Sequence, residues 1–144
     1  MFIERDTIKK ITPAAEDARG AIMDVFDGEN IRHVGHITSK TGSTRGNHYH
    51  KEQTQYTYIL RGKAYWYTKD MNDPSAEVHR TLIGVGDLAT DLPHVAHAIF
   101  ALEDTEFIFF TDAVRTDDGY EKDTIRIDIV SEWKQAHPET AALS

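Results

Sequence analysis

Cysteine is absent from this 144-residue sequence. Its absence excludes a disulfide framework, a thiolate zinc site, an iron–sulfur cluster and a cysteine nucleophile. Any metal ion must therefore be held by histidine, by a carboxylate or by an amide side chain. Eight histidines are present, so imidazole is the first side chain to consider as a ligand or as a catalytic group.

Positive charge is also scarce. The chain carries 16 lysines and arginines against 24 aspartates and glutamates, which gives a formal net charge of -8. Because affinity for nucleic acid depends on neutralising phosphates, a nucleic acid partner is not expected. No stretch approaches the ~18 consecutive apolar residues of a membrane span, and residues 1–6 lack the apolar run of a signal peptide. We therefore expect a cytoplasmic protein without a membrane partner.

Helical periodicity is rare, and short apolar or alternating runs replace it from residue 31 onward. Glycine, proline, asparagine and aspartate separate these runs, which is typical of strands joined by tight turns. The predicted strands are residues 31–38, 54–61, 64–69, 78–85, 88–90, 97–102, 106–112 and 124–130. No helical pattern long enough to form a crossover lies between them, which favours an antiparallel sandwich or barrel over a parallel sheet.

The two ends of the chain are patterned differently. Residues 13–19 allow at most one short helical turn, within a charged and weakly patterned stretch. Residues 131–137 predict a short C-terminal helix, with Ser131 as its N-cap and Pro138 as its stop. A chain of this length forms a single domain with one core.

Residues 44–55 contain the highest concentration of side chains that could bind a metal or act in catalysis. His48 and His50 are two positions apart, so their imidazoles share one face if the segment is a strand, whereas in a helix they would point about 200° apart. A turn at residues 51–53 would bring Gln55 back toward them at the start of the next strand. With His97, these residues can place three imidazoles and one amide oxygen around a divalent ion.

Other side chains are candidates for binding a substrate. His33 and His36 lie on opposite faces of their strand, and Val34 indicates that the face it shares with His36 is the apolar one. We therefore expect His36, rather than His33, to reach a cavity. His94 lies in the loop before His97 and is a candidate to join the site.

Arginine and tyrosine supply further candidates. Arg45 and Arg61 each lie beside a turn and can hold a substrate phosphate. Tyr58 belongs to a large aromatic set that forms either the sandwich core or the wall of a cavity.

The spacing of glycine and histidine resembles the motifs of a known superfamily. The series Gly42, His48, His50, Gln55 and Gly62 resembles the first motif of the cupin superfamily, with glutamine where those proteins usually have glutamate. Gly86-Asp87 followed by His97 resembles the second motif, although other positions of that motif depart from the pattern.

The cupin resemblance implies a jelly-roll barrel in which residues 31–112 carry both motifs. Residues 1–30 then form an N-terminal arm or edge strand, and residues 113–144 form a closing strand and tail. The expected metal ligands are His48, His50, Gln55 and His97, and the three histidines are also the expected catalytic residues. Small cupins commonly pair through such an arm, so the resemblance implies a homodimer.

A narrower resemblance concerns residues 45–51 and 120–126. Both segments are similar to small cupins of nucleotide-sugar and capsular-polysaccharide pathways. This group includes keto-sugar isomerases that use the two motif histidines as acid and base without a metal, and metal-binding cupin domains attached to sugar epimerases. The resemblance implies proton transfer by an isomerase, epimerase or cyclase on a small carbonyl compound such as a nucleotide keto-sugar.

The identity of the metal and the chemistry stay open at this point. Glutamine leaves a bound ion with its full +2 charge, which favours a redox-inert ion such as zinc or nickel over iron or manganese. The alternatives are a polyketide cyclase, an Fe(II) dioxygenase-type cupin and a cupin that binds a small molecule without catalysis.

Overall fold

The computed structural model describes residues 7–114 and 119–141. Within those ranges the chain forms twelve strands and three short helices. In chain order they are β1 (Ile8–Lys10), β2 (Pro13–Asp17), β3 (Gly20–Met23), β4 (His33–Ser39), β5 (Thr44–His50), β6 (Gln55–Arg61), β7 (Lys63–Asp70), β8 (His79–Gly84), β9 (Asp87–Asp91), β10 (Val95–Ala101), β11 (Thr105–Thr111), α1 (Gly119–Asp123), β12 (Thr124–Arg126), α2 (Ile129–Ala136) and α3 (Pro138–Ala141).

Ten of the strands form two five-stranded antiparallel sheets. The first sheet has the order β1-β9-β6-β11-β4, and the second has the order β12-β5-β10-β7-β8. Chain neighbours repeatedly fall in different sheets, which is the connectivity of a jelly roll. The predicted all-β, jelly-roll fold is therefore confirmed.

Apolar side chains between the sheets form one core. Alternation along β6, β7 and β11 turns Ile59, Trp66 and Phe107 inward, where they pack with Ile83 and Ala89. This core borders a cavity between the two sheets, because Trp66 and Phe107 belong to the core and also line the cavity.

A second core lies under helix α2. Trp133 and Ile129 of α2 pack against Tyr67, Ala96 and Ala98 on the outer face of the second sheet. The helix thus covers the face of β7 and β10 that points away from the other sheet, and this burial stabilises a helix too short to persist alone.

The start of α2 differs from the prediction. The chain leaves strand β12 at Arg126, and the N-cap is Asp128, whose carboxylate accepts hydrogen bonds from the backbone N–H (3.0 Å) and the hydroxyl (2.7 Å) of Ser131. The prediction of Ser131 as the N-cap is therefore wrong. Aspartate competes well for this position because its charge also interacts favourably with the helix dipole. Pro138 begins α3 rather than only ending α2.

Residues 13–19, which allow at most one short helical turn by their sequence, contain no helix in the structure. Strands β2 and β3 pair there as an antiparallel hairpin, whose turn is closed by hydrogen bonds from Arg19 to the carboxylate of Asp17. Every residue of the hairpin is exposed. By contrast, β1 joins the edge of the first sheet through β9. Within the described ranges, no helix is long and apolar enough to cross a membrane.

Candidate functional site

A bulge in strand β5 sets the position of the first histidine. Gly46 and Asn47 have φ values of 90° and 58°, and the pairing with β10 shifts register beside His97. A Cβ on Gly46 would lie 2.8 Å from the carbonyl oxygen of His97. Only glycine allows this close approach, and it places His48 directly opposite His97 across the strand pair.

Three histidines meet behind this bulge. The ring centroids are 4.8 Å apart for His48 and His50, 4.8 Å for His48 and His97, and 5.4 Å for His50 and His97. One ring nitrogen from each lies within 4.8 Å of the other two, and all three side chains are buried. The extended segment required by the spacing of His48 and His50 is therefore present, and β10 supplies the third ring.

Burial keeps these rings neutral at physiological pH. Desolvation, together with the smaller effects of the nearby His97, His50 and Arg126, lowers the pKa of His48 to about 3. Desolvation likewise lowers the pKa of His50 to about 4, with His97 adding to the effect. The pKa of His97 falls to about 4 for the same reason. Neutral imidazole is the form that binds a metal ion.

The hydrogen bonds of the rings determine which nitrogens remain available. Nδ1 of His97 lies 3.3 Å from the carbonyl oxygen of Val95, and Nδ1 of His50 lies 3.3 Å from the hydroxyl of Thr124. Among the residues that the structure describes, Nδ1 of His48 and Nε2 of His97 are buried without a hydrogen-bond partner. Buried polar atoms normally have partners. The donor set therefore fits a divalent cation bound by imidazole.

Gln55 lies at the start of β6, next to the cluster. It pairs with Asp91 on one side and with Thr111 on the other. Its side chain interacts with the ring of His50, and it also lines the cavity. The turn at residues 51–53 therefore returns Gln55 to the histidines, and its role as a ligand stays a prediction.

The histidine cluster opens into a cavity of about 540 Å³ between the two sheets. Its wall combines apolar side chains from β4, β10 and β11 with polar side chains from β5, β6 and β9. The residues that line it include His33, Gly35, His36, Ile37, Arg45, His48, Gln53, Gln55, Trp66, Asp91, His97, Ile99, Phe107 and Phe109. This size and mixture are typical of a site for a small organic molecule.

Asp91 is a site residue that the sequence analysis missed. The residue is only 2% exposed. Its carboxylate accepts a 2.9 Å hydrogen bond from the indole N–H of Trp66, and Oδ2 lies 3.9 Å from Nδ1 of His97. Desolvation raises the pKa of this carboxyl to about 8. Alternation along the strand could have identified Asp91, because it shares a strand face with the buried Ala89. Asp91 lies one position beyond the predicted end of that strand.

The inward face of β4 is not the one that Val34 indicated. Val34 is 58% exposed, and the inward face of β4 carries His33, Gly35 and Ile37 instead. His36 contributes only at the rim of the cavity, since its ring is 56% exposed and lies 3.3 Å from the carboxylate of Glu106. His33 is the histidine of β4 that faces inward, with its ring 5.2 Å from that of Phe109.

Two further candidates, Tyr58 and Arg61, lie outside the cavity lining. Tyr58 lies on the outward face of β6, since the inward positions are Gln55, Thr57 and the buried Ile59. Arg61 is exposed at the end of β6 and does not line the cavity. Neither side chain is among the residues that line the cavity, and their role in substrate binding stays a prediction.

Arg45 and His94 complete the predicted set. Arg45 does line the cavity, and its guanidinium donates hydrogen bonds to the hydroxyl of Ser39 (2.8 Å) and the carbonyl of Thr38 (2.9 Å). His94 has a φ of 65° and connects strands through its backbone, donating to the carbonyl of His50 at 2.7 Å. It is not among the residues lining the cavity, so its contribution is to hold the strand of His50.

Solved structures with the same fold include sugar-modifying enzymes. The dTDP-4-dehydrorhamnose 3,5-epimerase of Sulfolobus tokodaii is 23% identical over 72% of this chain and 68% of its own, with a TM-score of 0.62. The RmlC epimerase of Mycobacterium tuberculosis is 18% identical over 88% of this chain and 71% of its own, with a TM-score of 0.70. A double mutant of the QdtA 3,4-ketoisomerase of Thermoanaerobacterium thermosaccharolyticum, in complex with TDP, is 24% identical over 89% of this chain and 94% of its own, with a TM-score of 0.66.

At these identities the similar structures establish the fold alone. No curated protein sequence matches the chain significantly. The model of one family, the polysaccharide biosynthesis C-terminal domain, matches residues 15–125. That match spans well over half of the sequence, and the chain therefore belongs to the polysaccharide biosynthesis C-terminal domain family.

Proposed function

We propose that this protein is an isomerase or epimerase that moves a proton at a carbon next to the carbonyl of a nucleotide-linked keto-sugar. The observation that carries the proposal is the cluster of three neutral, buried histidines beside a cavity large enough for a sugar. Support for the substrate class comes from the names of the similar structures, which include dTDP-sugar epimerases and a 3,4-ketoisomerase.

We further propose that His48, His50 and His97 hold a divalent cation, zinc or nickel ahead of iron or manganese, with Gln55 as a fourth ligand. The buried, unpartnered nitrogens of His48 and His97 support this assignment. When bound, such an ion polarises the keto oxygen of the sugar. The lone pair on Nδ1 of His48 can serve the ion or accept a proton, but not both at once, so removing the metal distinguishes these two roles.

The rest of the cavity has roles that follow from its chemistry. Ile99, Phe107 and Phe109 form an apolar wall, which excludes water from a reactive enolate. Arg45 presents its guanidinium at the cavity wall, where it can bind a phosphate of the nucleotide. Asp91, beside His97, is placed to exchange a proton with the sugar.

Proton exchange with solvent tests the proposed reaction directly. The protein is incubated with dTDP-4-dehydrorhamnose in deuterium oxide, and the proton signals next to the ketone are followed by NMR. We expect wild-type protein to replace these protons with deuterium, and His48→Ala to slow the exchange by roughly 10²–10⁴-fold. The matched control is His79→Ala, an exposed histidine on β8, which should leave the rate unchanged. Absence of exchange in the wild type would overturn the sugar-isomerase proposal.

Metal content provides a separate readout. We expect about one equivalent of a divalent ion in metal-replete wild-type protein, and its loss in His97→Ala. Metal-dependent thermal stabilisation should disappear in the same variant, because an ion that binds only the native state raises its stability. A protein that takes up no ion but still exchanges protons would support the metal-free acid–base alternative.

We also propose that the protein is a homodimer in which the β2–β3 hairpin contacts a second copy. A two-stranded hairpin is marginally stable on its own, yet this one is exposed along its whole length. Ile22 and Met23 on β3 are 62% and 44% exposed. Apolar side chains on an otherwise unsupported hairpin are typical of an intersubunit contact.

A further inference from the structure

Gln53 has the geometry of a binding residue that no sequence motif indicated. It lies in the short connection between β5 and β6, is only 5% exposed and lines the cavity. Its Nε2 is buried and has no hydrogen-bond partner among residues 7–114 and 119–141. A buried amide that lacks a partner destabilises the unliganded protein, so its retention calls for a compensating use.

The backbone around Gln53 is held firmly. The carboxylate of Asp123 accepts hydrogen bonds from the backbone N–H groups of Lys51 (3.0 Å), Glu52 (2.9 Å) and Gln53 (3.1 Å). On the other side, the N–H of Thr54 donates to the carboxylate of Asp112 at 3.0 Å. Gln53 is therefore fixed on both sides by acidic residues of the tract between 112 and 128.

This clamp separates Gln53 from an ordinary loop amide. A glutamine in a mobile connection can turn its amide toward water, whereas here the fixed backbone and the deep burial keep the amide at the cavity wall. The loop follows His50 directly, so the same clamp positions the histidine cluster and the amide relative to each other.

We propose that Gln53 is a substrate-binding residue whose Nε2 donates a hydrogen bond to a hydroxyl or keto oxygen of the molecule in the cavity. Asp123 acts as its positioning residue. An amide neither gains nor loses a proton under these conditions, so Gln53 contributes binding and orientation and takes no part in proton transfer. That the oxygen belongs to a sugar rests on the proposed function, whereas the donor role of the amide does not.

Two substitutions test the amide without changing the size of the side chain greatly. Gln53→Met removes both polar atoms, and Gln53→Glu replaces the donor by an acceptor. The matched control is Gln135→Met on the exposed side of α2. Thermal unfolding of ligand-free protein and calorimetric titration with dTDP-4-dehydrorhamnose are measured for all variants.

We expect ligand-free Gln53→Met to unfold at the same temperature as wild type or higher, since an unpartnered amide is removed. Its affinity for the sugar nucleotide should fall tenfold or more, and Gln53→Glu should lose at least as much through repulsion of the ligand oxygen. Gln135→Met should change neither quantity. A Gln53→Met variant that unfolds several degrees earlier would overturn the inference, because the amide would then be structural.

The remaining outcomes separate this inference from the proposed function. If Gln53→Met is not destabilised and binds the sugar nucleotide as tightly as wild type, the binding role is overturned. If wild type does not bind the sugar nucleotide and Gln53→Met is more stable, the proposed substrate fails. The binding role is then sustained, because the amide is kept at a cost to stability in a cavity built for another oxygen-bearing ligand.

Discussion

Gly35 is a position at which a single added methyl group would enter space already filled by an aromatic ring. It lies on the inward face of β4, and a Cβ there would lie 2.9 Å from Cδ1 of Phe109 and closer still to two other atoms of the ring. The ring of Phe109 therefore occupies the space that a side chain at Gly35 would need. The backbone of Gly35 is not in the left-handed region, so Gly35→Ala tests packing alone.

The expected cost follows from overpacking. Displacing a packed ring to admit a methyl group typically costs about 1–3 kcal/mol. With an unfolding entropy of about 2.1 cal/mol/K per residue, a chain of 144 residues loses roughly 3 °C of melting temperature per kcal/mol, or about 3–10 °C in total. Because Phe109 also lines the cavity, the displaced ring should weaken ligand binding as well.

Chemical denaturation of a double-mutant cycle is the assay. In the background of Phe109→Ala, Gly35→Ala should cost nothing or stabilise by about 0.4–1 kcal/mol, because alanine restricts the unfolded chain. The matched control is Gly84→Ala on β8, where the nearest atoms to a new Cβ lie 3.9 Å away, and it should behave the same way in the wild-type background. Additive effects of Gly35→Ala and Phe109→Ala, or equal costs at Gly35 and Gly84, would refute the packing argument.

Three further outcomes are expected. Trp66→Phe removes the donor to buried Asp91 and should destabilise the protein by about 1–3 kcal/mol, measured by urea unfolding; an unchanged midpoint would contradict that hydrogen bond. The clustered histidines have folded pKa values of about 3, 4 and 4 against an unfolded value near 6.5, so stability present above pH 6.5 is lost as pH falls toward 4. The folded pKa of Asp91 is raised to about 8, so this group stabilises the folded protein as pH falls and offsets part of the loss. The free energy of unfolding of metal-free protein should therefore fall by about 3 kcal/mol between pH 7 and pH 5. A pH-independent free energy of unfolding over that range would contradict the burial of neutral rings. Ile22→Lys combined with Met23→Lys should convert the proposed dimer to monomer in light scattering at micromolar concentration, and a dimer of unchanged affinity would remove the hairpin from the interface.

Much of the strand pattern could be predicted from the sequence because alternation with period two is a local property. The segment with His48 and His50 illustrates this, since their shared face depends only on the chain being extended there. Turn residues such as Gly42 and Gly62 mark where strands end, again through local backbone preferences. The short helix was expected, but its first turn was not, because Asp128 and Ser131 are both good capping residues and the packing of Trp133 and Ile129 decides between them.

Which face of a strand points inward could not be decided locally. Val34 suggested that His36 faces the cavity, yet the sandwich turns Gly35 inward because Phe109 of the neighbouring strand fills the space that the glycine leaves. Tyr58 likewise lies on an outward strand face. An apolar residue on an exposed face costs little, so a single one is weak evidence of burial.

The sequence alone determined the chemistry available to this protein: histidine and amide side chains in place of thiols, and two imidazoles on one strand face. Only the tertiary structure decided which polar groups lose water together. Asp91 and Gln53 look like ordinary surface residues in the sequence, and they become site residues because β9 and the Asp123 clamp bury them beside the histidines. Desolvation is a property of the assembled sandwich. It raises the pKa of Asp91, and it leaves the buried amide of Gln53 without a hydrogen-bond partner among the described residues.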